Sequence, residues 1–282
     1  MAVPFKQKDV PMTNDENNDF IGSVRAIRIE KANIVYRDGA YVEHQPVPKQ
    51  ESTFDEDGRK ILELNYLDGT RPTKKNFEYD ADGRLIEAVE YDPDGLRICR
   101  RVYTYSADGK RVEEVSYRGD DTAESDKFTS VFDDDGRQVS LEVGGGKDKP
   151  LVKTYLSYDD KGRIREMITC ANKSAGGIVV PAKGGHVALP STMKIRMKEA
   201  APYDADLLVN KTVFIYDDTG HVTEISSYGY DNTLSSKTRL DREFDSHGNW
   251  IKETRSRWNS QTNSYQPVEV TYRAITYYAA TS

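Results

Sequence analysis

Long apolar runs are missing from this chain of 282 residues. No stretch approaches the ~18 apolar residues that a membrane-crossing helix needs. Cysteine is scarce: Cys99 and Cys170 form no CxxC pair and could close one disulfide at most, so we read them as free thiols without a catalytic role. The four histidines, His44, His186, His221 and His247, show no zinc-like spacing with another His or Cys and read as turn or surface residues. The nucleophile elbow GxSxG, the P-loop, HExxH and GxGxxG are all absent. Gly144-Gly145-Gly146-Lys147 lacks the rest of a P-loop and reads as a hairpin end. Hydrophobic residues make up only 37%, against about 45–50% in ordinary soluble domains. The core is therefore thin, or shared between two wet faces. Positive charge is also short. The net charge of -7 argues against nucleic acid and anionic membranes as general partners.

What the chain has in abundance is a repeat. An aromatic residue, usually Asp, two variable residues and Gly recur. The copies are Phe54-Asp55 to Gly58, Tyr79-Asp80 to Gly83, Tyr91-Asp92 to Gly95, Tyr105-Ser106 to Gly109, Phe132-Asp133 to Gly136, Tyr158-Asp159 to Gly162, Tyr216-Asp217 to Gly220 and Phe244-Asp245 to Gly248. The unit is a turn: Asp accepts backbone hydrogen bonds and Gly supplies a positive φ. A basic residue follows in several copies, at Arg59, Arg84, Lys110, Arg137 and Arg163. Looser turns, such as Leu67-Asp68-Gly69 and Asp92-Pro93-Asp94-Gly95, reverse the chain again. Each period holds two strands, which makes an antiparallel meander. Simple alternation after Gly83 puts Leu85, Glu87, Val89 and Tyr91 on one face and Arg84, Ile86, Ala88 and Glu90 on the other. Both faces are mixed, unlike a sandwich strand. The expected fold is all-β: a long twisted antiparallel meander of YD-type hairpin repeats, partly single-layered or curled. Glu87, Glu113, Glu166 and Glu224 form an acidic row, expected to face the basic row that follows each Gly.

These copies, above all Tyr79-Asp80…Gly83-Arg84-Leu85 and Tyr158-Asp159…Gly162-Arg163-Ile164, resemble the YD-repeat, or RHS-repeat, family over about residues 50–260. The resemblance implies a bacterial extracellular or envelope β-meander, sometimes a shell round a toxin. It also implies an export signal that this sequence does not show; a cytoplasmic protein is the alternative. Asp92-Pro93-Asp94-Gly95-Leu96 looks like the DPxGL that closes the self-cleaving cage of large RHS toxins. Here it falls inside the array, so it reads as an ordinary turn.

The organisation expected is a polar tail over 1–20, capping strands over 21–50, repeat sheet over 51–170, a Gly/Pro-rich insertion over 171–210, and repeat sheet with a capping strand over 211–282. Asp38-Gly39 closes an early hairpin, and Val268 to Tyr278 is the strongest strand, β-branched and aromatic throughout. The structural turn residues singled out are Tyr79, Asp80, Gly83, Tyr158, Asp159, Gly162, Tyr216, Asp217 and Gly220. No cofactor, metal or catalytic residue is expected. Acid pairs such as Asp55/Asp57 leave only weak Ca²⁺ binding open, because Gly arrives too early for an EF-hand and no bidentate Glu follows. The first expectation is a non-catalytic, exported structural or adhesive protein that self-associates, as a homo-oligomer or filament, through its N-terminal tail or sheet ends by strand addition. The alternatives are a carbohydrate-binding module stacking a glycan on Trp250, Trp258, Tyr265 and Tyr272, and a hydrolase with its site under the 171–210 insertion. Membrane insertion is not expected.

Overall fold

The structure, a computed structural model, describes residues 20–67, 71–144, 152–172, 179–182, 185–188 and 206–279. The expected tail over residues 1–19 and most of the 171–210 insertion lie outside them. Described strands follow one another without a helix. They are β1 (Val24–Arg37), β2 (Ala40–Glu43), β3 (Val47–Phe54), β4 (Lys60–Asn65), β5 (Thr73–Tyr79), β6 (Leu85–Tyr91), β7 (Arg97–Tyr105), β8 (Arg111–Arg118), β9 (Glu124–Phe132) and β10 (Gln138–Val143). Then come β11 (Val152–Tyr158), β12 (Ile164–Asn172), β13 (Val179–Ala182), β14 (Gly185–Ala188), β15 (Asp206–Tyr216), β16 (Val222–Gly229), β17 (Leu234–Phe244), β18 (Trp250–Asn259) and β19 (Ser264–Tyr277). The chain is all-β and its described ladders are antiparallel.

Contacts divide the chain into two compact units. One comprises residues 1–104, 114–125 and 238–282. In it β3 to β7 form a meander of sequential neighbours, and β17 to β19 form another. Strand β1 joins the two, pairing with β3 on one side (Ile27 opposite Ser52) and with β19 on the other (Ile27 opposite Ile275). The strands nearest the two ends of the sequence, expected as caps that leave no raw edge, pair with each other, and β19 also pairs with β18, so neither offers a free edge over these registers. Beyond Asn33, β1 continues into the hairpin with β2, whose turn residues Asp38 and Gly39 have φ of 52° and 85°. The second unit, residues 105–113 and 126–237, holds the run β9-β10-β11-β12-β15-β16, each strand paired with the next. Strands β13 and β14 form a separate hairpin within the insertion.

The mixed faces have a physical cause that simple alternation misses. After the glycine of seven repeat turns the third residue is a bulge. Tyr79 opposes Leu85 but Glu78 opposes Glu87, so Ile86 is extra. The same slip recurs in the hairpins entered at Phe54, Tyr91, Phe132, Tyr158, Tyr216 and Phe244. A bulge reverses the in–out order beyond it. Leu85, Ala88 and Glu90 therefore share a face with Phe77 and Lys75, while Glu87, Val89 and Tyr91 take the other, which corrects the expected faces. The bulged Ile61, Ile86 and Ile98 are exposed.

The apolar core is small. Val24, Ile27 and Phe54 are buried, with Phe20, Ile29, Ile275 and Tyr277 packed against them. Much of what is otherwise buried is polar: Ser52, Glu63, Thr73, Glu114, Glu253 and Arg273. Buried charges need partners, and Glu63 and Glu253 have them. Glu63 accepts from Lys60 (2.8 Å) and from the Asn65 amide (3.0 Å). Glu253 accepts two bonds from Arg242, at 2.8 and 2.7 Å.

Candidate functional site

The recurring turn is the most regular chemical feature. Asp80 Oδ1 accepts the amides of Asp82 (3.0 Å) and Arg84 (2.8 Å), while its Oδ2 accepts Arg84 Nε (2.7 Å). The backbone closes the loop with Gly83 N donating to Asp80 O at 3.0 Å. Asp55, Asp133 and Asp159 repeat this arrangement. The Arg84 amide and guanidinium hold the Asp80 carboxyl below its ordinary range. The basic residue after each Gly was expected to face the acidic row; in the copies at Arg59, Arg84, Arg137 and Arg163 it is claimed by its own turn aspartate. Glu87 pairs instead with Arg100, Glu113 with Lys127 (3.0 Å) and Glu224 with Lys237 (3.0 Å).

Three of the turns also grip a neighbour. Tyr79 donates its hydroxyl to Lys60 O (2.8 Å), Tyr158 to Gln138 O (2.6 Å) and Tyr216 to Ile164 O (2.7 Å). The arginine of the preceding turn lies over the same ring: Arg59 over Tyr79 (5.6 Å), Arg137 over Tyr158 (5.3 Å), Arg163 over Tyr216 (4.4 Å). Burial, with Asp133 nearby, pushes the Tyr158 hydroxyl up to about 12. Tyr79 in one unit, and Tyr158 and Tyr216 in the other, thus belong to turns in which Asp, Arg and Tyr satisfy one another. The motif signalled the turn; the grip between turns was not expected from it.

Of the four aromatic residues weighed as a stacking row, Trp258 and Tyr265 meet each other, while Trp250 and Tyr272 have other partners. Trp250 lies under Arg273, 3.4 Å from its guanidinium, and is also faced by Arg242 at 5.6 Å. Burial pushes Arg273 down to about 9, which leaves it a cation at neutral pH. Trp258 meets Tyr265 edge-to-face across the last hairpin at 5.1 Å, with Arg239 over Tyr265. Tyr272 donates to Glu43 at 2.6 Å, a bond that raises its hydroxyl to about 12. It lines a groove of ≈ 600 Å³ with Arg28, Glu30, Glu243 and Lys252. A second groove of ≈ 550 Å³ runs past Leu64, Lys74, Asn76 and Tyr91.

Asn249 stands where other turns carry Arg, and it does a different job. Its side chain accepts from Ile21 N and donates to Ile21 O, both at 2.8 Å, and donates to the Tyr277 hydroxyl at 2.8 Å. Tyr277 donates to Asp245 and stacks on His247 at 3.9 Å. His221 contacts Thr219 through Nδ1 at 2.8 Å, and the His44 amide donates to Asn33 O. Cys99 and Cys170 are not joined in a disulfide. Among the described residues no group of three His, Cys, Asp or Glu could hold a metal ion.

No family model matches the chain, and no curated protein does. Among solved structures it is similar to a porin-like protein from Bacteroides uniformis, with 12% identity and a TM-score of 0.44 over 88% of this chain and 96% of that one. A porin-like protein from Bacteroides vulgatus gives 11% identity and a TM-score of 0.33 over 88% and 97%. A TcdB2-TccC3 structure gives 10% identity and a TM-score of 0.31, covering 87% of this chain and 16% of that one.

Proposed function

We propose that this chain is a non-catalytic structural or adhesive β-repeat protein of the YD type, exported to the cell envelope or beyond. One observation carries the reading. The residues that recur most, Tyr, Asp and Arg, are consumed by turn closure and turn-to-turn contact. Enzymes instead leave reactive groups converging on a pocket. The two grooves here are open, and the shifted groups in one of them, Tyr272 and Arg273, are accounted for by a carboxylate partner and by burial. Beads coated with the folded chain should adhere to cells or extracellular matrix, and beads coated with the heat-unfolded chain should not. Sustained turnover of any generic ester, glycoside or peptide substrate by the purified chain would overturn the reading.

A further inference from the structure

The groove beside Tyr91 has a chemistry that the rest of the repeat lacks. Its ≈ 550 Å³ falls within the range of about 300–1,000 Å³ typical of small-ligand sites. Leu64, Pro72 and Pro93 supply apolar walls. Arg71 ties the two rims together, donating to Pro93 O at 2.6 Å and to Asp94 at 2.8 Å. On the floor, Lys74 stands directly opposite Tyr91, and Asn76 lies two residues along the same face.

Tyr91 belongs to the turn that breaks the spacing, its Gly95 lying only twelve residues after Gly83. The rings of Tyr79, Tyr158 and Tyr216 are locked by an arginine and a backbone carbonyl. Among the described residues, Tyr91, Lys74 and Asn76 have neither a hydrogen bond, an ion pair nor a ring contact through their side chains. Three polar groups with unused capacity therefore line one groove. Asp92 adds an acceptor, since only its Oδ1 is taken, by the amides of Asp94 and Leu96.

We propose that this groove binds a pyranose sugar carrying a carboxylate. The Tyr91 ring offers an apolar plate to the C–H face of the sugar. Lys74 supplies a cation with no carboxylate of its own, which suits the acid group. Asn76, able to donate and accept, and Asp92 suit ring hydroxyls. Other occupants fit less well. A peptide adding as a strand needs a free edge, and β5 and β6 are each paired on both sides. A polyphosphate backbone needs several free cations, and Arg71 is already held by Asp94.

The site is separable from the scaffold role: a silent groove leaves that role standing, and catalytic turnover would overturn the role without touching the groove. The test is a titration of the intact chain with tetragalacturonate, followed by calorimetry and amide NMR shifts. Maltotetraose and sodium acetate serve as controls. We expect a dissociation constant on the order of 1 mM for the uronate, with shifts centred on Lys74, Asn76 and Tyr91. Lys74→Gln should weaken binding roughly fivefold, and ~0.5 M salt should weaken it as well. Tyr91→Ala should abolish binding while Tyr91→Phe retains it, with circular dichroism confirming folding. If Tyr91→Ala does not fold, Asn76→Ala, also expected to weaken binding, takes its place. Trp258→Ala should change nothing. No binding, equal binding of maltotetraose, the same shifts from acetate alone, or loss of binding in Trp258→Ala would each overturn the proposal.

Discussion

At the scale of single residues, backbone torsion and buried charge decide most. Gly162 sits at φ +76°, and an added Cβ there would meet nothing within 4 Å. Any cost of Gly162→Ala is therefore torsional, about 1–2 kcal/mol. Urea unfolding should show a lower midpoint with an unchanged slope. Two buried glutamates predict opposite pH behaviour. Burial pushes the Glu63 carboxyl up, but Lys60 and Asn65 outweigh it and hold it below 4.5. Its contribution is present above the unfolded value and is lost as the pH falls through the folded one. Glu63→Gln should thus destabilise at pH 7 by about 1–3 kcal/mol and by progressively less in acid. Glu114 goes the other way: burial raises its carboxyl above 4.5 and Arg101 offsets only part of that. Its ionisation costs stability at neutral pH. Glu114→Gln should be neutral or stabilising at pH 7, and that relative gain should shrink as the wild type protonates. Denaturation midpoints of both variants across pH 3–8 check the pair.

At the scale of elements, Asn249 is the test case. It is buried and holds the Ile21 backbone through two bonds and Tyr277 through a third. Asn249→Ala should cost about 2–3 kcal/mol, and proteolysis should begin near Phe20–Val24. The turns were legible in the sequence because Asp and Gly at fixed offsets act locally. The early hairpin was legible for the same reason: Asp38 and Gly39 adopt the positive φ their types suggest. The faces were not, because the bulge at Ile86 and its equivalents leaves no mark in composition. The partners of Arg84 and Glu87 depended on those faces. Nor was the β1–β19 pairing visible, since no local signal links Ile27 to Ile275. Trp250 left stacking and packing both open, because an aromatic residue near a strand start looks alike whether it awaits a ligand or lies under Arg273.

At the scale of the whole molecule, charge on both faces of the strands of one unit sets the medium. In one unit the cross-strand row Arg28–Glu51 and Leu64–Lys74 occupies one face, while Glu63–Lys75–Glu90 occupies the other. In the other unit Lys153 opposes Glu142 and Lys211 opposes Ile168, all on one face. A lipid-facing barrel carries an outward apolar band, and a lysine or arginine at its midplane costs about 2–4 kcal/mol. Mixed with liposomes, the chain should stay in the aqueous phase on flotation; co-migration with lipid would refute this. A final consequence follows from the register that seats the first strand beside the last. Tyr278 N donates to Ser23 O at 2.8 Å, so a linker from Tyr278 back to Phe20 could fuse the two ends with Phe20 and Ile21 kept in place, and new termini could be opened at an exposed turn such as Asp57-Gly58. That permuted polypeptide should regain the parent fold, whereas ribosome-bound fragments lacking residues after 263 should leave β1 half-zipped, making release of the last strand the step that completes folding.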